Sequence, residues 1–210
     1  MTPTGTEAPR SLPSDQPPEE RSWSPLPLDK RSWPVSMLPG QIVVVTTTSV
    51  DGRVDAAPKS WVSMASFDPP VVGFGCSTGH RTYRNIKATG RFTVNVLPAA
   101  LADRAWALLT AEGGARLGAA GLTLLRGTHP GPPRVAQCTA HLECTHDQTV
   151  TFGGQECFVF GRIVAADIDE RAFEADEPLA AYQRIDPVFY LHDRHVAGLA
   201  PPVDHGRRPA

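Results

Sequence analysis

Between residues 41 and 192 short runs of β-branched and apolar residues alternate with turn formers, and the dominant period is that of strands. Gln41–Thr48 (QIVVVTTT) is β-branched at every position after Gln41, and Asp51-Gly52 behind it is a hairpin signal. Arg53–Ala65 reads as the return strand, where Pro58 marks an edge or bulge because proline donates nothing to a ladder. Phe67-Asp68-Pro69-Pro70 forces a turn, since proline fixes φ and drives its predecessor into extended geometry. Val71–Cys76 is a short strand of the buried type. Thr82–Thr89 fits a helix of about two turns, with Thr82 as N-cap and Gly90 past its end. Arg91–Leu97 alternates as a strand with Phe92, Val94 and Val96 on one face. Ala99–Leu109 is helical, with Leu101, Ala105 and Leu108 on one side. Arg134–His146 and Gln155–Asp167 are two long strands joined through Thr149–Gly154, and a last strand lies near Val188–His192. Many antiparallel strands and few helices predict a closed or partly closed barrel.

The ends differ from this middle. Eight of the 21 prolines precede position 35, so residues 1–32 are expected to be mostly disordered, with too little apolar surface to offset their ordering entropy. Trp23, Leu26, Leu28 and Trp33 are the residues of that stretch able to dock a short piece. Residues 33–198 then form one domain, and 199–210 a second disordered tail. A length of 210 residues suits one sizeable core. Charged residues make up 20% and the net charge is -2, which suggests neither a nucleic-acid footprint nor an anionic membrane partner. No apolar stretch nears the roughly 20 residues of a membrane helix. Glu7, Asp15, Glu19 and Glu20 stand among prolines where a secretory signal would have an apolar core. With four cysteines, the expectation is a cytoplasmic protein with free thiols.

Two stretches carry candidate chemistry. Ser77-Thr78-Gly79-His80-Arg81-Thr82-Tyr83-Arg84-Asn85-Ile86 runs from a strand end through a glycine turn into a helix start. Free N–H groups and the positive dipole end there attract an anion, typically a phosphate. Ser77, Thr78 and Thr82 add hydroxyls, Arg81 a charged fork, and His80 a proton at acidic pH. The plain alternative is a capped helix whose arginine faces water. In Ala57–Ser66, alternation puts Lys59, Trp61, Ser63 and Ala65 on one face, and Pro58, Ser60, Val62, Met64 and Ser66 on the other. Small and hydroxyl residues at a barrel rim let a flat ring lie against backbone; the alternative is a solvated polar face.

Other residues invite a reading. Cys138, His141, Cys144 and His146 resemble a metal cluster in sequence. On one strand, however, they would spread over some 25 Å at about 3.3 Å per residue, with His141 pointing away. No metal is therefore expected. Cys144 reads as a small buried hydrophobe, and Cys76 as a packed thiol or, less simply, as a reactive one beside the turn. His192 and His195 are surface or interface residues, or substrate contacts. Trp106 is expected to pack in the core or a dimer contact.

In their order and spacing these stretches resemble the flavin reductase-like, FMN-binding split-barrel family, which includes the flavoredoxins. The matching residues are Leu38-Pro39-Gly40, Val43-Val44-Val45-Thr46-Thr47, Asp51-Gly52-Arg53, Ala57-Pro58-Lys59-Ser60-Trp61 and Ser66-Phe67-Asp68-Pro69-Pro70-Val71-Val72. Thr82 with Asn85-Ile86, Gly90–Val96, Gly121-Leu122, Leu142-Glu143-Cys144 and Val159–Val164 follow in the same order. The resemblance spans roughly Met37 to Tyr190. It implies a mainly β fold with a few helices, a six-stranded antiparallel Greek-key split β-barrel that binds FMN.

It also implies cofactor contacts from Lys59, Ser60, Trp61, Val62, Ser66, Ser77, Thr78, His80, Arg81, Thr82 and Asn85. Ser60, Trp61 and Val62 would line the ring and ribityl chain; Ser66 and the Ser77–Thr82 turn would hold ribityl and phosphate. FAD presents the same ring, ribityl and first phosphate. The implied reaction is NAD(P)H-dependent hydride transfer to flavin, in a homodimer that serves a partner oxygenase or another acceptor. Such chemistry asks positioning of side chains more than acid–base work. Two further readings are an FMN-dependent oxidoreductase acting on a small organic substrate and an electron carrier without nicotinamide activity. Three positions depart from the family pattern. Glu156 stands where many relatives have a histidine, and its carboxylate would repel a dinucleotide pyrophosphate; Gln41 replaces a common proline and Asp55 a common asparagine. His192 and His195 also occupy a segment where relatives tend to have glycine and aromatics.

Overall fold

The computed structural model describes residues 22–29, 33, 36–110, 116–174 and 178–200. Of the stretches expected to be disordered, 1–32 and 199–210, residues 1–21, 30–32 and 201–210 lie outside the described residues. The chain divides into two units, Met1–Pro34 and Val35–Ala210. In the first, the Trp33 indole donates to the Pro27 carbonyl at 2.6 Å, and Trp23, Leu26 and Leu28 are exposed.

The second unit opens with β1 (Gly40–Gln41), β2 (Val43–Thr48), β3 (Val54–Lys59), β4 (Val62–Phe67) and β5 (Pro70–Ser77). Helix α1 (Arg81–Thr89) leads into β6 (Arg91–Val96), and a 3-10 turn over Ala99–Leu101 into α2 (Ala102–Thr110). There follow α3 (Arg116–Ala119), β7 (Leu124–Leu125), β8 (Arg134–Val135), β9 (Ala140–Thr151) and β10 (Glu156–Ile168). The unit ends with α4 (Glu170–Phe173), α5 (Pro178–Ile185), β11 (Val188–His192) and β12 (His195–Gly198).

Seven antiparallel strands form the main sheet in the order β3-β2-β6-β9-β10-β5-β4. Its two edges, β3 and β4, are consecutive in the chain and separated only by Ser60-Trp61. A two-residue link spans a few ångströms, so the sheet must curl until its edges meet, which makes a barrel with one seam. Bulges on β10 between Phe160 and Gly161 and between Ile163 and Ala165 supply part of the bend. From β5 the chain passes through α1 to β6, beside β2, the crossing that gives a Greek key.

This topology corrects the reading of 53–65 as one strand. Through Lys59 the chain pairs with β2, and from Val62 it pairs with β5, so it changes partners at Ser60-Trp61. One expected strand is therefore two, and the barrel has seven strands where six were expected. The expected strand over 134–146 also divides. Val135 accepts from the Cys138 amide in a turn, β8 pairs with β7, and only β9 joins the barrel. A further sheet, β1-β11-β12, contains a strand that the sequence reading did not anticipate, His195–Gly198.

Burial explains the β-branched run of β2. Val43 and Val45 point into a core with Val72, Phe74, Phe92, Val94, Cys144 and Val159, where the Phe74 and Phe92 rings meet edge-on at 5.3 Å. Ile42 and Val44 point the other way, onto Ala105 and Leu108 of α2, with Leu97, Val135 and Val188. A strand buried on both faces loses the polar alternation of a half-exposed one. Trp106 packs against this second core, edge-on to Tyr190.

Polar groups inside the fold are paired. The Glu143 carboxylate, 6% exposed, accepts the amides of Thr128 at 2.8 Å and His129 at 2.7 Å and Nε of Arg134 at 2.7 Å. Burial pushes this carboxyl up, but the His129 and Thr128 amides and Arg134 outweigh it and hold it below the usual carboxylate range. Arg134 reaches on to Asp167 at 2.5 Å, and Asp167 to His141 at 2.7 Å. Glu143 thus ties the loop after β7 to the barrel wall. Replacing Glu143 with Gln is expected to cost about 2 kcal/mol, read as a lower urea midpoint, because the arginine and two amides lose a charged acceptor.

Candidate functional site

The seam brings the two sequence stretches together. β4 pairs with β5 at Val62↔Phe74, and the Gly75 amide donates to the Trp61 carbonyl at 2.8 Å. The Trp61 indole lies where a Gly75 side chain would be, its nearest atoms 2.7–3.4 Å from that position. Only glycine lets the side chain rest on the strand, and Trp61 remains 51% exposed. On the other side of the seam, the Gly40 backbone presses against the Ser60 carbonyl so closely that any side chain at 40 would collide with it. Val62 turns inward and packs against the barrel core. The bulge between Met64 and Ser66 breaks the expected alternation: Ser63 faces Gly73 and Ser66 faces Val71, so both lie on one side. Ser66 is then about 20 Å along β5 from Ser77, at the far end of the strand from the turn.

The turn itself is compact. Thr78 donates its amide to the Gln155 carbonyl at 2.8 Å, His80 donates to the Ser77 carbonyl at 2.9 Å, and the Gly79 amide donates to Ser77 Oγ at 3.2 Å. Helix α1 starts at Arg81, and its N-cap is His80, whose side chain makes no cap bond. Thr82, expected as the cap, is inside the helix and buried. The reason is that the turn hydrogen bonds close at Ser77 and leave helical geometry to begin at once. No acid lies in the first turn, so its N–H groups and the positive dipole end are uncompensated by a side chain of the helix.

Cations gather at this helix start. Arg81 is half exposed and pairs through Nη1 with Asp55 Oδ1 at 3.1 Å; Arg84 Nη1 donates to the Gly79 carbonyl at 2.6 Å. The His80 imidazole is held below its ordinary range, first by burial and then by the nearby Lys59 ammonium, with Glu156 acting against them. Lys59, Ser77, Thr78, His80 and Arg81 are therefore brought together. Asn85 is buried and donates Nδ2 to Thr47 Oγ1 at 2.9 Å, toward the barrel. Glu156 stands directly across from Ser77, which puts this unexpected carboxylate at the rim of the turn.

The remaining candidates lie elsewhere. His192 and His195 are exposed in the β11–β12 turn, where His195 Nδ1 is 3.2 Å from the His192 carbonyl oxygen. That sheet borders the seam through Gly40, which pairs with Tyr190. All four cysteines are free and buried. Burial pushes the Cys138 and Cys144 thiols up to about 12, and Cys76 packs in the barrel core opposite Cys157. Cys138 sits in a turn and not on the expected strand, and the His141 ring is held between Asp167 and the Val135 carbonyl. Among the described residues, no group of three or more His, Cys, Asp or Glu side chains converges as a metal would require.

Three contributors escaped the sequence reading. Gly75 is one glycine among 18, and only pairing shows the indole resting on it. Gln155 holds the turn from the residue just before β10, through its carbonyl. Asp55 was visible as an unusual residue, but its partner lies 26 positions away.

Residues 35–197 match the family model described as flavin reductase like domain. The fold is similar to nitrilotriacetate monooxygenase component B from Bacillus cereus, with TM-score 0.72 and 20% identity over 80% of this chain and 89% of that one. It is similar to the Pseudomonas fluorescens 2-nitrobenzoate 2-nitroreductase, with TM-score 0.70 and 26% identity over 82% and 87%. An FMN-binding protein from Thermus thermophilus, with bound p-hydroxybenzaldehyde, gives TM-score 0.69 and 23% identity over 89% and 98%.

Two outcomes follow from the geometry. Gly75→Ala is expected to lift the Trp61 indole, shifting the emission that is lost in Trp61→Phe and costing on the order of 1–3 kcal/mol. An unshifted spectrum would show that the ring does not rest on Gly75. Because the folded His80 is harder to protonate than the unfolded one, its contribution is complete above pH 6.5 and declines as pH falls below it. The melting temperature of His80→Asn should therefore fall less between pH 7.5 and 5.5 than that of the parent.

Proposed function

The chain belongs to the flavin reductase like domain family, and from that premise we propose that it binds FMN along the seam and reduces it with NAD(P)H. The observation that carries the reading is the neighbourhood of two features. A half-exposed tryptophan packs its side chain against a glycine, and an uncapped helix start with Arg81 and Lys59 lies at the end of the same strand pair. The first suits a planar ring and the second a phosphate, and the residues present therefore fit a flavin nucleotide.

When bound, the flavin supplies a ring that accepts hydride, chemistry that no side chain here provides. The chain's part is to hold and orient. The α1 amides, the Ser77 and Thr78 hydroxyls and Arg81 grip the phosphate end, while Ser60 and Trp61 present backbone and indole to the ring. Neutral His80 can donate or accept without adding charge at pH 7. FAD would enter through the same ring, ribityl and first phosphate.

A homodimer is part of the proposal. β4 is a barrel edge that exposes Met64 and Phe67, next to the exposed Trp61 of the link, and an apolar edge of this kind is ordinarily covered. The reduced flavin would then serve a partner oxygenase, the arrangement that the name of the Bacillus cereus component suggests. Four buried thiols suit a cytoplasmic setting.

A second reading is an FMN-dependent oxidoreductase acting on a small organic substrate. Its support is Glu156 at the rim of the turn, which disfavours a dinucleotide pyrophosphate, together with the likeness to a nitroreductase.

The test is the absorption spectrum of the purified protein with added FMN, before and after anaerobic NADH or NADPH. Flavin bands that bleach with either nucleotide are expected, and Arg81→Ala should weaken FMN binding roughly tenfold or more, the order of one charged hydrogen bond. FMN binding without bleaching would favour the second reading. Failure to bind FMN, or an unchanged affinity in Arg81→Ala, would overturn the site.

A further inference from the structure

We infer that Asp55 is a positioning residue whose buried carboxylate fixes the Arg81 guanidinium for the phosphate of a flavin nucleotide. The inference rests on the reading of the Ser77–Thr82 turn as the phosphate site.

Asp55 lies on β3 opposite Thr47 of β2, and its side chain is 5% exposed. A carboxylate out of water is tolerated only with a charged or hydrogen-bonding partner. Its ion-pair partner is Arg81, 3.1 Å away and 49% exposed. The pair therefore has a dry end and a wet end: the acid is fixed in the wall, and the guanidinium reaches from it toward solvent. Guanidinium offers five N–H donors in a rigid fork, and Nη1 is the atom engaged below. Arg81 is itself the first residue of α1, so the fork is carried by the turn whose amides already favour an anion.

The surroundings make the aim stable. α1 is docked on the same two strands by a second polar contact, Asn85 Nδ2 to Thr47 Oγ1 at 2.9 Å, and Thr82 is buried beside it. Arg81 is thus held at its backbone by a docked helix and at its head by β3. A free arginine loses considerable rotamer freedom when it grips an anion. Here that freedom is already lost before the ligand arrives, an ordering gain set against the charge that Asp55 cancels.

A simple clamp for α1 is the rival explanation, and paired ligands separate the two. Dissociation constants for FMN and for riboflavin, which lacks the phosphate, are measured by flavin fluorescence titration on the full chain. In Asp55→Ala the ratio of riboflavin to FMN constants is expected to fall roughly tenfold, the order of one charged hydrogen bond, with riboflavin binding little changed. Asp55→Asn keeps an oxygen for Nη1 and should restore the ratio to within about threefold of the parent. Should Asp55→Ala not fold, Asp55→Ser, too short to reach Arg81, carries the same expectation.

If FMN and riboflavin weaken equally, Asp55 serves only the fold and the inference is wrong. It is also wrong if the ratio holds in Asp55→Ala while falling in Arg81→Ala, an outcome that leaves the phosphate site standing. If Arg81→Ala leaves the ratio unchanged as well, the phosphate site itself is lost.

Discussion

A two-residue link between the edges of a seven-stranded sheet is the constraint on which the molecule depends. Ser60-Trp61 joins β3 to β4, strands that have five others between them in ladder order. No flat or gently twisted sheet places its outer edges that close, so closure follows from chain length alone. Closure in turn creates the inner core around Phe74 and Phe92 and leaves a seam where backbone is not laddered across. The proposed flavin site lies along that seam, where a strand face, a strand end and a helix start are neighbours.

Glycines and buried polar groups make the seam usable. Gly40 admits the Ser60 carbonyl and Gly75 admits the indole, so the two link residues are seated from opposite sides. Away from the seam, Glu143, Arg134, Asp167 and His141 form a chain of paired charges that ties a long loop to β9 and β10. Such groups contribute little net energy when satisfied, but each is costly to orphan, so they fix one arrangement of the loop.

Charge at the turn is mixed. Lys59, Arg81 and Arg84 approach the helix start, while Asp55 and Glu156 approach it from β3 and β10. A site of this composition discriminates by geometry more than by attraction. An anion must meet the α1 amides and the arginine fork together, since the field of the cations is partly cancelled by the acids. Burial first, and then Lys59 against Glu156, holds the His80 imidazole below its ordinary range, so it is available for hydrogen bonding without contributing charge at pH 7.

Local chemistry was legible in the sequence. The strand and helix character of most segments, the hairpin at Asp51-Gly52, the proline turn before β5 and the strand–turn–helix at Ser77–Thr82 all follow from interactions within a few residues. The family resemblance, carried by ordered short motifs, was legible for the same reason. What the tertiary structure alone decided involves partners far apart in the chain. A run of strand-forming residues from 53 to 65 has no local signal telling it to exchange β2 for β5 at Ser60, so six strands became seven. Thr82 is as good a cap as any by composition, but turn bonds to Ser77 from His80 and Gly79 start the helix earlier. Asp55 and Arg81, Trp61 and Gly75, and Glu156 and Ser77 meet only because strand register brings them together, and register is a property of the closed barrel that no short window of residues contains.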